Sequence, residues 1–125
     1  MHYSKLRISS DATSKLRAMR QRMRITPNLL CRYALMSSLE DGPIGNAPLP
    51  DEDGQEFNAS TLTGEQTQLF LAVISVVEEG ASSKAPSNAR VLELLRCHIH
   101  RGVGSLSVRL RSPADLFLRK TGSDR

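Results

Sequence analysis

The chain has no tryptophan and only five other aromatic residues, two tyrosines and three phenylalanines, so its core must be built from aliphatic side chains. It has two cysteines, Cys31 and Cys97, each within an apolar, helix-like segment. Thiols placed this way point to reduced cysteines in a cytoplasm rather than to a disulfide framework. No apolar run approaches the roughly 20 residues of a spanning helix. The longest, Leu69 to Val77, is broken by Ser75, and the basic start MHYSKLRISS lacks the apolar stretch of a secretory signal. No membrane association is expected. The sequence also lacks a glycine-rich phosphate loop, a carboxylate cluster suited to magnesium and a Ser/His/Asp set at visible spacing, so neither enzymatic chemistry nor a cofactor is expected. No segment repeats, and 125 residues suit a single domain.

What the chain does have is charge, unevenly placed. Residues 1 to 32 hold eight Lys/Arg against one acid, a net of +7; residues 33 to 95 hold two against ten, −8; residues 96 to 125 hold seven against two, +5. These sum to the overall +4. Basic ends around an acidic middle point to a polyanionic partner, most often nucleic acid.

The most informative stretch is Ile25 to Asp41, ITPNLLCRYALMSSLED. Thr26 can cap the first free amides, Pro27 fits the first helical turn, and Gly42 with Pro43 ends the helix. Between Leu29 and Leu39 eight of eleven residues are apolar, and they point in nearly every direction. One protomer of this size does not obviously cover such a helix, so a homo-oligomer centred on it is expected.

Before it, Tyr3 to Ile8 alternates as a half-buried strand does, with Leu6 and Ile8 on one side and Tyr3, Lys5 and Arg7 on the other. Ser9, Ser10 and Asp11 are cap candidates for a helix to about Arg24, whose apolar stripe is Ala12, Leu16, Met19 and Met23. Lys15, Arg17, Arg20, Arg22 and Arg24 occupy much of the rest with no anion among them, unlike a solvated helix laced with i, i+4 pairs. Strand, amphipathic helix, turn and buried helix is the order of a ribbon-helix-helix unit, in which two chains pair their strands. The expected fold is therefore mainly α with a short N-terminal strand and a ribbon-helix-helix-like core over residues 1–42. Thr26 and Asn28 would offer amides to a phosphate, with Arg32 one turn on.

Residues 43–56 read as an acidic Gly/Pro loop, mobile, with Asp51, Glu52 and Asp53 solvated. The remainder, 57–118, reads as helical. Thr63 and Gln66 form a capping box for a second buried helix to about Glu79. Ser87 caps another from Asn88 to about His100, stopped by Gly102. Residues 103–111 suit a strand or an irregular packing segment, Ser112 and Pro113 open a short helix with Leu116 to Leu118, and 119–125 fray.

Cys97, His98 and His100 suggest metal ligands at first sight. On one helix, however, the two histidines diverge by about 200°. Zinc wants about four ligands in a recognised spacing, so packing or helix-end capping is the better reading, with His100 and Arg101 retained as DNA-contact candidates. Cys31, in the middle of an apolar helix, reads as inert packing rather than a sulfur carrier.

Three blocks together, ITPNLLCRYALMSSLED at 25–41, FNASTLTGE at 57–65 and CHIHRGV at 97–103, resemble the DNA sulfur modification protein DndE family of bacterial phosphorothioation systems. The resemblance spans Leu6 to about Leu118. It implies a small, non-enzymatic, tetrameric protein that prefers nicked duplex DNA and works beside a cysteine desulfurase and iron–sulfur and ATP-using proteins. Arg24 stands where the family tends to carry glycine, and Ala59 and Ser60 where it tends to carry a basic residue. The expected DNA face comprises Lys5, Arg7, Lys15, Arg17, Arg20, Arg22, Arg24, Thr26, Asn28, Arg32, His100 and Arg101. Two alternatives stay open: a sequence-specific ribbon-helix-helix repressor reading bases with Tyr3, Lys5 and Arg7, and an adaptor whose basic face docks an acidic protein.

Overall fold

In the computed structural model, which describes residues 2–115, the chain runs β1 (Lys5–Arg7), α1 (Ser10–Met23), α2 (Pro27–Glu40), β2 (Glu56–Asn58), α3 (Ala59–Leu62), α4 (Thr67–Ser82) and α5 (Asn88–Arg109). A 3-10 turn, Gly64–Gln66, joins α3 to α4. The expected last helix at Leu116–Leu118 and the tail lie outside the described residues.

α1 begins where the extended backbone of Ser9 lets its Oγ accept the Ala12 amide at 3.0 Å. The predicted stripe, Ala12, Leu16, Met19 and Met23, is buried. Pro27 opens α2, which sends Leu30, Cys31, Ala34 and Leu35 into the core. Thr26 stands at the cap position, but its side chain makes no capping bond.

α5 is the long element, and it corrects the sequence reading twice. Gly102 does not stop it, and residues 103–109 are helix rather than strand. Gly102 is instead where α5 crosses α2 so closely that a Cβ would collide with the carbonyl of Ala34. A glycine in mid-helix lowers helix propensity, but here the contact between the two backbones outweighs that loss. α1 and α4 pack on the same long helix, so Leu16, Met19, Leu30, Leu35, Ile74, Leu95, Ile99 and Leu106 form one aliphatic core.

β1 pairs antiparallel with β2, Leu6 opposite Phe57, and both side chains are buried. The short strand thus finds its partner within its own chain. Tyr3 departs from the expected alternation because the chain bends at Ser4; the ring is buried and its hydroxyl is 2.7 Å from Thr63 Oγ1. Thr63 also bonds Thr67 Oγ1 at 2.6 Å, so the expected capping box does not form and α4 starts later, at Thr67. Nor is α4 a fully buried helix: Leu71, Ile74 and Glu78 face inward while Leu69 and Val76 are exposed.

The acidic loop is pinned along its length rather than left loose. Gly54 and Gln55 exchange backbone bonds with Ile8. Asp51 accepts the amides of Ser10 and Asp53, each at 2.9 Å, so it does more than solvate the surface, and these amide bonds hold its carboxyl below the usual carboxylate range. Arg96 donates to the Pro50 carbonyl at 2.8 Å and sits 3.5 Å from Glu52.

Gly80 in α4 and Gly102 in α5 should respond oppositely to alanine. Gly102→Ala forces the α2–α5 crossing apart and is expected to cost about 1–3 kcal/mol. Gly80→Ala, where an added Cβ meets nothing within 4 Å, should stabilise by about 0.5–1 kcal/mol. Urea unfolding of the two variants checks both signs.

Candidate nucleic-acid interface

The arginines and lysines of the expected DNA face fall into three groups. The first holds the fold together. Arg22 reaches from α1 to the carbonyls of Ser107 and Leu110 at 3.2 and 3.1 Å, satisfying the end of α5. Arg32 does the same for α3, donating to Leu62 at 2.6 Å and Thr61 at 3.0 Å, and Asn28 joins it at the Thr61 carbonyl at 3.2 Å. Arg101 binds the carbonyls of Ser38 and Gly42, each at 2.6 Å, and closes the end of α2. His100 is drawn to the start of α1, with Nδ1 2.7 Å from Ser9 Oγ. These side chains already have protein acceptors or donors, so their local role is structural.

The second group is paired but exposed. Lys5 and Arg7 flank Glu56 across the β1–β2 ladder at 3.8 and 3.2 Å, and Lys15 meets Asp11 one turn back at 2.8 Å. Exposed pairs of this kind are worth roughly 0–1 kcal/mol, so a phosphate can replace the carboxylate at little cost.

The third group is Arg17, Arg20 and Arg24. They stand at i, i+3 and i+7 on the outer face of α1, all exposed, and make no side-chain hydrogen bond or ion pair with the described residues. With Gln21, Ile25 and Thr26 they line an open cleft of about 640 Å³ at the α1–α2 turn. Gln21, one turn from both Arg17 and Arg24, escaped the sequence reading because a neutral residue carries no charge signal. Arg24 ends α1 in the left-handed region, at φ 59°.

Outside this face the fold assembles a polar chain that spacing along the sequence could not reveal, since its members come from α2, α4 and α5. Arg101 Nε donates to Ser38 Oγ at 2.9 Å, leaving the serine proton for His98 Nδ1 at 2.8 Å. His98 Nε2 then donates to Glu78 at 2.9 Å, and the same carboxylate accepts the amides of Ile44 and Gly45 at 2.7 and 3.1 Å. The order Ser–His–Glu resembles a hydrolytic triad, yet Ser38 and His98 are wholly buried and no substrate reaches the hydroxyl. The chain anchors the acidic loop to the core. Burial holds the His98 imidazole below its usual range against the pull of Glu78. Burial pushes the Glu78 carboxyl up, but the two loop amides and His98 outweigh it and leave the group below its ordinary value. The thiols are core groups too: burial pushes Cys31 up to about 12 and raises Cys97, the reverse of an activated thiolate.

The comparisons with known proteins bear on this arrangement. The family profile described as DNA sulphur modification protein DndE matches residues 5–114. The chain belongs to the DndE family. Among solved structures, DndE from Escherichia coli B7A, involved in DNA phosphorothioation modification, superposes with a TM-score of 0.70 at 18% identity, covering 84% of this chain and 99% of that one. A DndE mutant with glycines replaced by lysine, involved in DNA phosphorothioation, gives 0.64 at 20% identity over 84% and 97%. At these identities the solved structures establish the shared fold. No curated protein matches the chain at significant similarity.

The buried chain makes acid stability predictable. Both His98 and Glu78 have folded values below their unfolded ones, so each contributes stability above its unfolded pKa, lost as pH falls toward the folded value. The melting temperature should therefore drop as pH falls below about 6.5, where free imidazole titrates, and again below about 4.3. Calorimetry across that range checks the order. A melting temperature flat between about pH 7 and 5 would contradict the burial of a neutral His98.

Proposed function

We propose that this chain is a non-enzymatic DNA-holding component of a DNA phosphorothioate modification system. It binds duplex DNA, preferentially at nicks, through the outer face of α1. The observation that carries this reading is the set Arg17, Arg20 and Arg24: three cations on one helix face, without a carboxylate among the described residues to neutralise them, in a chain of a DNA-modification family. Lys5 and Arg7 on β1 add exposed cations, whereas Lys15 lies on the opposite flank of α1, toward α5 and against Asp11. Thr26 brings the start of α2 to the same cleft, while the Asn28 side chain is turned to the Thr61 carbonyl. Such contacts go to the phosphate backbone and position the protein without reading bases.

The protein acts as a homo-oligomer, with four copies as the family resemblance implies. Leu29, Tyr33 and Met36 form an apolar stripe on the outer side of α2, 44, 40 and 45% exposed in the single chain. With β1 already paired to β2, we assign the association of copies to this stripe rather than to a two-chain ribbon. Leu69 and Val76 on α4 are a second exposed apolar pair. The repressor reading loses support because Tyr3 is buried and β1, the strand that would form a two-chain ribbon, is already paired with β2.

Fluorescence anisotropy against random-sequence duplex, intact and singly nicked, tests this across a salt series, with light scattering on the same sample to give the number of copies. Three phosphate contacts at roughly −0.9 each predict a log–log salt slope of about −3 per engaged protomer, and nicked duplex should bind more tightly. Negligible binding at low salt, or a monomer at micromolar concentration, would overturn the corresponding half of the reading.

A further inference from the structure

We infer that the cleft at the α1–α2 turn is a site for a phosphate monoester, such as the terminal phosphate of a DNA strand, and that Arg24 sets its specificity. The inference rests on the duplex-binding reading above and goes further, because it names the group bound. Three arginines, Arg17, Arg20 and Arg24, line one open cleft, and no Asp or Glu of the described residues lines it with them. Arg22, on the same helix, is turned away to the end of α5, so the three that remain share a face with only Gln21 between them. The Thr26 hydroxyl at the cleft wall makes no capping bond and is available as a further donor.

The charge balance selects the ligand. A bridging phosphodiester carries one negative charge and two free oxygens. A terminal monoester carries about −1.5 to −2 and three acceptor oxygens, which suits three forked guanidinium donors. Arg24 adds a conformational argument. At φ 59° its backbone occupies a region that residues with a Cβ rarely adopt and that glycine adopts freely at the end of a helix. A side chain held there with no partner among the described residues, at the mouth of a cationic cleft, is placed for a ligand rather than for the fold.

The test uses the full-length protein and a 3′-labelled duplex with one nick whose 5′ end carries either a phosphate or a hydroxyl, at fixed ionic strength. The phosphorylated nick should bind about tenfold more tightly or better. Arg24→Gly should remove that difference while melting at or above the wild-type temperature, and Arg17→Gln should reduce it in a helix position free of backbone strain. Inorganic phosphate should compete with the phosphorylated nick more strongly than with the hydroxyl one. If inorganic phosphate competes equally with both, the anion it displaces is not the strand end, and the proposal fails. Tight but equal binding of both nicks would overturn this inference and leave the duplex reading standing. No binding of either would overturn both.

Discussion

Everything in this molecule depends on how closely α5 can lie against α2. The approach at Gly102 brings the α5 backbone onto the Ala34 carbonyl, and a turn away it sets His98 and Arg101 against Ser38. With those two helices in contact, α1 can rest its Leu16 and Met19 on α5, and Arg22 can reach the far end of that helix. The acidic loop is drawn in by the same contact, because Glu78 and Arg101 hold its first residues. A core without tryptophan is thus made specific by one glycine and one buried polar chain beside it.

Residues of one type divide the labour between fold and surface. Arginine suits both roles, because its fork satisfies several carbonyls at a helix end and equally well a phosphate. Arg22, Arg32 and Arg101 serve the fold, while Arg17, Arg20 and Arg24 face outward with no side-chain partner among the described residues. Net charge alone does not distinguish the two sets. The net +7 of the first 32 residues includes both.

How far the sequence could be read follows from which forces are local. Caps and stripes are local, and Ser9, Pro27, Ser87 and the Ala12-to-Met23 stripe placed α1, α2 and the start of α5 to within a residue or two. Gly102 misled because a glycine that ends a helix and one that admits a neighbouring backbone look the same in one dimension. Thr63 misled because its hydroxyl is taken by Tyr3, 60 residues away. For the interface, the basic face of α1 was legible from its lack of anions. That Arg22 ties α1 to the end of α5, and that Ser38, Glu78 and His98 meet, are facts of tertiary contact with no sequence signature.

The separation of fold-holding from outward-facing arginines is tested most directly by pairing thermal unfolding with duplex binding in two variants. The triple substitution Arg17→Gln, Arg20→Gln and Arg24→Gln should leave the melting temperature nearly unchanged and abolish most salt-dependent binding. Arg101→Gln should lower the melting temperature by several degrees, as a loss of about 1–3 kcal/mol does in a domain of this size, while the folded protein keeps its salt slope. The opposite pattern, with binding lost in Arg101→Gln and stability lost in the triple variant, would contradict it.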